Sequence, residues 1–182
     1  MGLTRTPDAE FEAMLTGGHP NSLGRTLEVV DAVRSQPQRF DALLSCYFSE
    51  NDVVRLRVSN AVKRLTKEST AYLKPHVGLL LTDIAAIEQP STQWTLAELF
   101  TLLDRELSSA ERRKAQTLVK RNLSTSSDWI VLNKSIDALM RWARRDDTLA
   151  AWLRPELQRL SGDTRKSVAN RATKALDALG PD

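Results

Sequence analysis

Cysteine, glycine and proline are scarce in this chain of 182 residues, which has one cysteine and seven each of glycine and proline. The single thiol, Cys46, excludes an internal disulfide and a cysteine metal cluster. Its apolar surroundings predict a small buried residue with a raised pKa. The two histidines, His19 and His76, lack the spacing of metal ligands. We therefore expect no metal and no cofactor.

Long apolar runs are missing as well, and none approaches the roughly 20 residues that a membrane-spanning helix needs. Residues 1–10 are polar and acidic, without the basic-then-apolar order of a secretion signal. We expect a cytoplasmic protein that does not contact a membrane. The usual enzyme motifs are also missing: there is no glycine-rich phosphate loop, no Gly-x-Ser-x-Gly and no His-Glu-x-x-His.

Charge is distributed unevenly between the two parts of the chain. Residues 1–103 hold 10 Lys/Arg and 12 Asp/Glu, whereas residues 104–182 hold 16 and 11. The basic part either favours an anionic partner or is an ordinary solvated surface. The net charge of +3 does not decide between these interpretations.

Helical periodicity runs through most of the chain, and no alternating β-branched run indicates a strand. Capping residues and prolines mark the helix starts. The pattern predicts helices at 8–15, 22–34, 37–48, 51–67, 70–87, 91–104, 109–122, 127–144, 147–160 and 163–179. Because the links are short, consecutive helices are expected to pack as antiparallel pairs.

An internal repeat emerges when the second helices of the predicted pairs are overlaid. Equivalent small or apolar positions fall at Ala61, Leu99, Ala138 and Ala175, with spacings of 38, 39 and 37 residues. A period that drifts near 38 is typical of stacked helix pairs, because loops vary while helices keep their register. We expect a single domain, 1–182, of about five pairs, with second helices near 22–34, 51–67, 91–104, 127–144 and 163–179.

The period, and segments such as Asp52-Val53-Val54-Arg55 followed by Ser59-Asn60-Ala61-Val62, resemble the HEAT/armadillo-like superfamily of helical repeats. The resemblance covers most of the chain. It implies an all-α fold, a right-handed α-α superhelix or solenoid, in which the second helices line a concave face. It implies no particular ligand.

A helical wheel separates the two sides of each second helix. One side is an apolar stripe, such as Val54, Val58, Ala61, Val62 and Leu65, which we expect to be core. The other side gives two columns of expected groove residues: Leu56, Trp94, Asn133 and Asn170, and beside them Arg57, Thr95, Lys134 and Arg171. Trp94 is either an exposed anchor for a ligand or packed against a neighbouring repeat.

The segment from Gly17 to Arg25 is unusual because it concentrates glycine, proline and asparagine. One interpretation is a well-formed turn between two helices. The other places Asn21 and Arg25 at the mouth of the groove, where free N–H groups at a helix start attract anions.

One part of the predicted groove resembles the HEAT-type DNA alkylation-repair glycosylases, which hold a damaged nucleotide with tryptophans, a carboxylate and an arginine. That resemblance implies Trp94 as an aromatic wall, Glu98 as the carboxylate and Lys134 near the family's arginine. The chain departs from the pattern: Glu98 stands for an aspartate, Lys134 for an arginine, and Asn170 occupies a position without a second tryptophan. These departures favour an ion pair of Glu98 with Lys134 or Arg171 over catalysis.

Three functions remain as hypotheses. The first is a non-enzymatic binding or scaffold module that holds a protein or peptide on its concave face. The alternative is a nucleic-acid-binding protein or repair enzyme, related to the HEAT-type DNA alkylation-repair glycosylases and with Glu98 as its catalytic candidate, which needs a continuous basic track. Side chains that would supply such a track are Arg57, Arg64, Lys134, Arg141, Arg171 and Lys174. The third is a purely structural or oligomeric role.

Overall fold

The computed structural model describes residues 5–19 and 22–180. Within these ranges the chain forms ten α-helices and no β-strand, which confirms the all-α prediction. The helices are α1 (Ala9–Leu15), α2 (Thr26–Ser35), α3 (Phe40–Ser45), α4 (Asp52–Glu68), α5 (Val77–Leu81), α6 (Pro90–Leu102), α7 (Ser109–Thr125), α8 (Trp129–Ala143), α9 (Asp147–Ser161) and α10 (Lys166–Leu179).

Local capping explains where several helices begin. The Ser108 hydroxyl accepts a hydrogen bond from the Glu111 amide, and the Glu111 carboxylate accepts from the Ser108 amide, so both residues satisfy free N–H groups at the start of α7. The Asp128 carboxylate accepts from the amides of Ile130 and Val131 and fixes the start of α8. Pro90 is the first residue of α6, where a missing N–H costs nothing.

Two predicted helices, 37–48 and 70–87, are interrupted. The first is a 3₁₀ turn at Pro37–Arg39, then α3, then a second 3₁₀ turn, and the other contains only the five-residue α5 among 3₁₀ turns. Pro75 explains part of the second interruption, because its ring removes an amide donor from the middle of the segment. The prediction of one continuous helix in each segment was wrong.

The chain divides into two compact units, residues 1–95 and 96–182. In the first unit, α2 packs on α4, and α1 contacts both. In the second unit, α8 contacts α7, α9 and α10, and α9 packs along α10. The α2–α4 and α8–α10 contacts each join second helices of consecutive predicted pairs.

The predicted core stripes are buried with few exceptions. All five apolar residues assigned to the stripe of α4 are inaccessible to solvent, as are Leu99, Phe100 and Leu139 in the second unit. Leu176 and Leu179, on the apolar side of α10, are half-buried. Cys46 is fully buried, and burial raises the pKa of its thiol to about 12, which confirms the sequence prediction.

The loop before α10 supplies a pH-dependent contact. The Arg165 guanidinium lies 2.7 Å from the Asp163 carboxylate and donates to the Ser127 carbonyl, joining two loops of the second unit. Hydrogen bonds from Arg165 lower the pKa of Asp163 to about 2. A depressed pKa in the folded state adds stability above the unfolded value, and this stability is lost as pH falls through the folded value.

We therefore expect Asp163→Asn to unfold at a lower urea concentration than the wild type at neutral pH. The difference between the two urea midpoints should narrow between about pH 4 and pH 2, because the wild-type carboxyl loses its charge there. Urea unfolding at a series of pH values measures it. A difference that stays constant down to pH 2 would mean that the carboxylate's charge contributes nothing.

Candidate functional site

An open groove of about 580 Å³ lies between α8 and α10 in the second unit. Both helices present one face to it, because the lining positions recur every three or four residues along each. The groove is lined by Trp129, Asn133, Ile136, Asp137, Met140 and Arg144 from α8 and its end, and by Ser167, Asn170, Arg171, Lys174, Ala175 and Ala178 from α10. Three of the predicted site residues, Asn133, Asn170 and Arg171, therefore lie together.

The groove has a closed apolar base. Ile136, Met140 and Ala175 line it and are each less than a tenth exposed. Above this base, the Arg171 guanidinium donates to the Asp137 carboxylate at 2.6 Å, joining α10 to α8. Both side chains of this pair are nearly half exposed, so the pair is worth at most about 1 kcal/mol. The ion pair therefore fixes the positions of two charges and adds little to stability.

Trp129 stands at one end of the groove, as the first residue of α8. It is 49% exposed, more than any other large apolar side chain in the described part of the chain. The Asp128 cap holds the helix start on which this indole sits. A rigidly placed, half-exposed tryptophan is typical of a binding anchor, since it offers a large apolar face and an N–H donor.

Asn133 was expected to be exposed and is instead 8% exposed, on the groove wall. Its Oδ1 atom is buried and accepts no hydrogen bond from any described residue. A buried acceptor without a donor costs about 1–3 kcal/mol.

Three of the four charged residues that line the groove are cations. Arg144 follows the last residue of α8, and Lys174 lies one turn beyond Arg171 on α10; both are exposed. Neither side chain forms a hydrogen bond or ion pair within residues 5–19 and 22–180, whereas Arg171 is compensated by Asp137. The described groove thus carries two uncompensated positive charges.

The remaining predicted residues of the second unit form a pair. Lys134 Nζ lies 3.4 Å from Glu98 Oε2, and the Glu98 side chain is 15% exposed. This confirms the ion pair expected from the sequence for Glu98. Trp94, on α6 in the first unit, is half-buried, so part of its indole faces solvent.

Arg57, in contrast, has no free surface. Its side chain is 1% exposed, so the expectation that it lines an open face was wrong. Its guanidinium donates to the carbonyls of Leu15, Gly17, His19 and Ser22, and also to the Ser22 hydroxyl. Described residues on both sides of positions 20 and 21 therefore turn their carbonyl groups towards Arg57.

Arg25 follows this loop and is exposed, paired with Glu28 at 2.8 Å. Its expected companion at the groove mouth, Asn21, lies outside the described residues, as does Pro20. Gly24 approaches the Arg57 guanidinium so closely that a Cβ there would lie 2.7 Å from Cζ. These contacts are accounted for by the interpretation of the segment as a turn between two helices.

The sequence did not predict Arg144 as a groove residue, and the predicted groove had different limits from the one in the structure. The available signal was the spacing of Trp129, Asn133, Asp137, Met140 and Arg144, which recurs on one face of α8. The two predicted columns take only Asn133 and Lys134 from α8, so they leave out Asp137, Met140 and Arg144.

A second groove, of about 520 Å³, lies in the first unit and was not expected from the sequence. Phe40 lines it in tilted contact with two rings, 5.4 Å from the Tyr72 ring and 5.8 Å from the His76 ring. His76 Nε2 lies 3.1 Å from Asp41 Oδ1. These contacts hold α3 against the 3₁₀ turns that precede α5.

No helix among residues 5–19 and 22–180 combines the length and apolar character that a membrane crossing requires. The same ranges contain no cluster of three or more His, Cys, Asp or Glu side chains placed to hold a metal ion. The sequence matches no protein-family model and no curated protein.

Proposed function

We propose that the chain is a non-enzymatic, HEAT-like binding module that holds a peptide segment of a partner protein in the α8–α10 groove. The observation that carries this proposal is the half-exposed Trp129 at the end of a groove with a buried apolar base. Peptide-binding surfaces commonly combine an aromatic anchor, an apolar floor and a polar rim. The rim is supplied here by Asn170, Arg144 and Lys174.

The dimensions of the groove suit a short segment. From Trp129 to Arg144, the lining face of α8 extends for about 22 Å at a rise of 1.5 Å per residue. An extended peptide covers this length with about seven residues at 3.3 Å each.

The groove's chemistry favours holding a segment over transforming it. Asp137 in the groove is engaged by Arg171, and Glu98, outside the groove lining, is engaged by Lys134. A glycosylase would use the negative charge of its carboxylate to stabilise a cationic sugar, and Lys134 already occupies that charge on Glu98. The glycosylase resemblance therefore gives a weaker account of Glu98 than the ion pair does.

Replacing Trp129 with alanine is expected to weaken peptide binding at least tenfold, because anchor residues commonly contribute about 2 kcal/mol or more. Peptides selected from a displayed random library on the wild-type protein serve as probes, with affinities measured by fluorescence anisotropy. Leu27→Ala is the matched control: Leu27 is 48% exposed, on α2 in the first unit. It should leave the affinity unchanged.

Two results would contradict the proposal. One is a library from which the wild-type protein enriches no peptide. The other is enrichment that Trp129→Ala leaves intact, which would place the binding surface elsewhere. Tight binding of duplex DNA at low salt, lost as salt rises, would instead favour the nucleic-acid alternative.

A further inference from the structure

We infer that the segment held between α8 and α10 is acidic, with its carboxylates towards the Arg144 end and its apolar side chains towards Trp129. This inference rests on the proposed function. It concerns the chemistry of the occupant, which the presence of a groove alone does not specify.

The charges of the groove give the first argument. Its described lining contains one carboxylate, Asp137, and three cations, Arg144, Arg171 and Lys174. Asp137 is paired with Arg171 at 2.6 Å, which leaves Arg144 and Lys174 without a partner among the described residues. Complementary charge attracts a partner and fixes its register, so carboxylates at these positions suit the groove.

The two ends of the groove differ in chemistry, which gives the second argument. Trp129 begins α8 and Arg144 follows its last residue, so an aromatic end and a cationic end are separated by the length of the helix. Between them, Ile136 and Met140 form an apolar base. A segment with an apolar residue at one end and acidic residues at the other matches this order.

Asp137 distinguishes a peptide from a nucleic acid. A nucleic acid carries a phosphate at every nucleotide, so a strand lying along the groove would also place a phosphate beside Asp137, whose charge Arg171 already compensates. A peptide can place an uncharged residue opposite Asp137 and acidic residues elsewhere. The apolar base also accommodates aliphatic side chains, for which a sugar-phosphate chain has no equivalent.

The first test is the composition of the peptides that the wild-type protein enriches from a displayed random library. We expect enrichment of Asp and Glu and depletion of Lys and Arg. A synthetic copy of an enriched peptide is then compared with a version whose Asp and Glu residues are changed to Asn and Gln. The neutral version should bind about tenfold more weakly, and the difference should shrink as salt is raised.

The second test changes the protein. Lys174→Gln and Arg144→Gln should each weaken binding of the acidic peptide about threefold to tenfold, and should leave binding of its neutral version nearly unchanged. Lys166→Gln removes the same charge from an exposed position of α10 that does not line the groove, and should have little effect. Urea midpoints close to the wild-type value show that each variant is folded.

The outcomes separate the two proposals. The enriched peptides could instead be neutral or basic and lose their binding in Trp129→Ala. That result would contradict the proposal of an acidic segment and would still support the peptide-binding function. Equal losses in Lys174→Gln and Lys166→Gln would also contradict the acidic segment, since they would reflect net charge alone. If no peptide is enriched, or if duplex DNA binds and depends on Lys174, both proposals fall.

Discussion

Replacing Arg57 with alanine is expected to lower the free energy of unfolding by about 3 kcal/mol or more, because it leaves one buried and several partly buried acceptors without donors. The carbonyls of Leu15 and Gly17 each lie 2.6 Å from Nη1, the shortest contacts of the cluster. Alanine removes these donors together with the side chain that fills the centre of the loop. Urea unfolding followed by helical circular dichroism measures the change.

Lysine is a poor substitute at this position. The guanidinium of Arg57 directs its N–H groups in a planar fork towards acceptors from residues 15 to 22, and a single ammonium cannot reach the same set. Arg57→Lys should therefore recover only part of the stability lost in Arg57→Ala. Full recovery would mean that positive charge matters and geometry does not.

Arg64→Ala is the matched control, because Arg64 lies two turns further along α4 and is exposed. Its change in unfolding free energy should stay within about 0.5 kcal/mol, as for most surface substitutions. An equal loss at positions 57 and 64 would contradict the assigned role of the Arg57 guanidinium.

Leu139→Ala should cost about 2–5 kcal/mol of unfolding free energy, because it removes three buried carbon atoms and leaves a cavity. Leu139 is inaccessible to solvent, in the middle of α8, the helix that contacts α7, α9 and α10. The cost lies at the upper end of this range if the surrounding helices cannot collapse into the space. Urea unfolding gives the magnitude.

The same substitution at a half-buried position supplies the comparison. Leu176 lies on α10 in the same unit and remains half-buried. Leu176→Ala should therefore cost clearly less than Leu139→Ala, since less apolar surface is transferred to water. A larger loss of unfolding free energy in Leu176→Ala than in Leu139→Ala would contradict the burial assigned to these two side chains.

The sequence was sufficient for the helices that have regular amphipathic patterns and clear caps. The start of α8 followed from Asp128, and that of α7 from Ser108. It was insufficient for the segment before α5, where apolar residues continue a helical pattern although the backbone is divided into 3₁₀ turns. The spacing of hydrophobic residues indicates which side chains are buried. It distinguishes poorly between the hydrogen bonding of an α-helix and that of 3₁₀ turns.

Arg57 was misjudged for a physical reason. Charged residues are rarely buried without a partner of opposite charge, so the sequence favoured an exposed side chain. Its partners are backbone carbonyls of a loop about 40 residues earlier in the chain, and carbonyls are present in every sequence. Asn133 is a similar case: its position bordering the core stripe does not reveal that only 8% of it is exposed in the folded chain.

The repeat predicted part of the candidate site. Column reasoning brought out Asn133, Asn170 and Arg171, because equivalent positions of repeats fall on equivalent faces. It did not identify Arg144, which follows the end of α8, or the pairing of Asp137 with Arg171. Those features depend on how closely α8 and α10 approach, and periodicity does not specify that distance.

The Arg57 cluster has a consequence for ionic strength. The described acceptors around its guanidinium are carbonyls and one hydroxyl, all uncharged, and the group is shielded from water. Dissolved ions screen exposed charges strongly and buried dipoles weakly. Concentrated salt should therefore leave the loop after α1 closed while it weakens the attraction of the α8–α10 groove for an anionic peptide. A salt titration can consequently release a bound segment without loosening the N-terminal part of the fold.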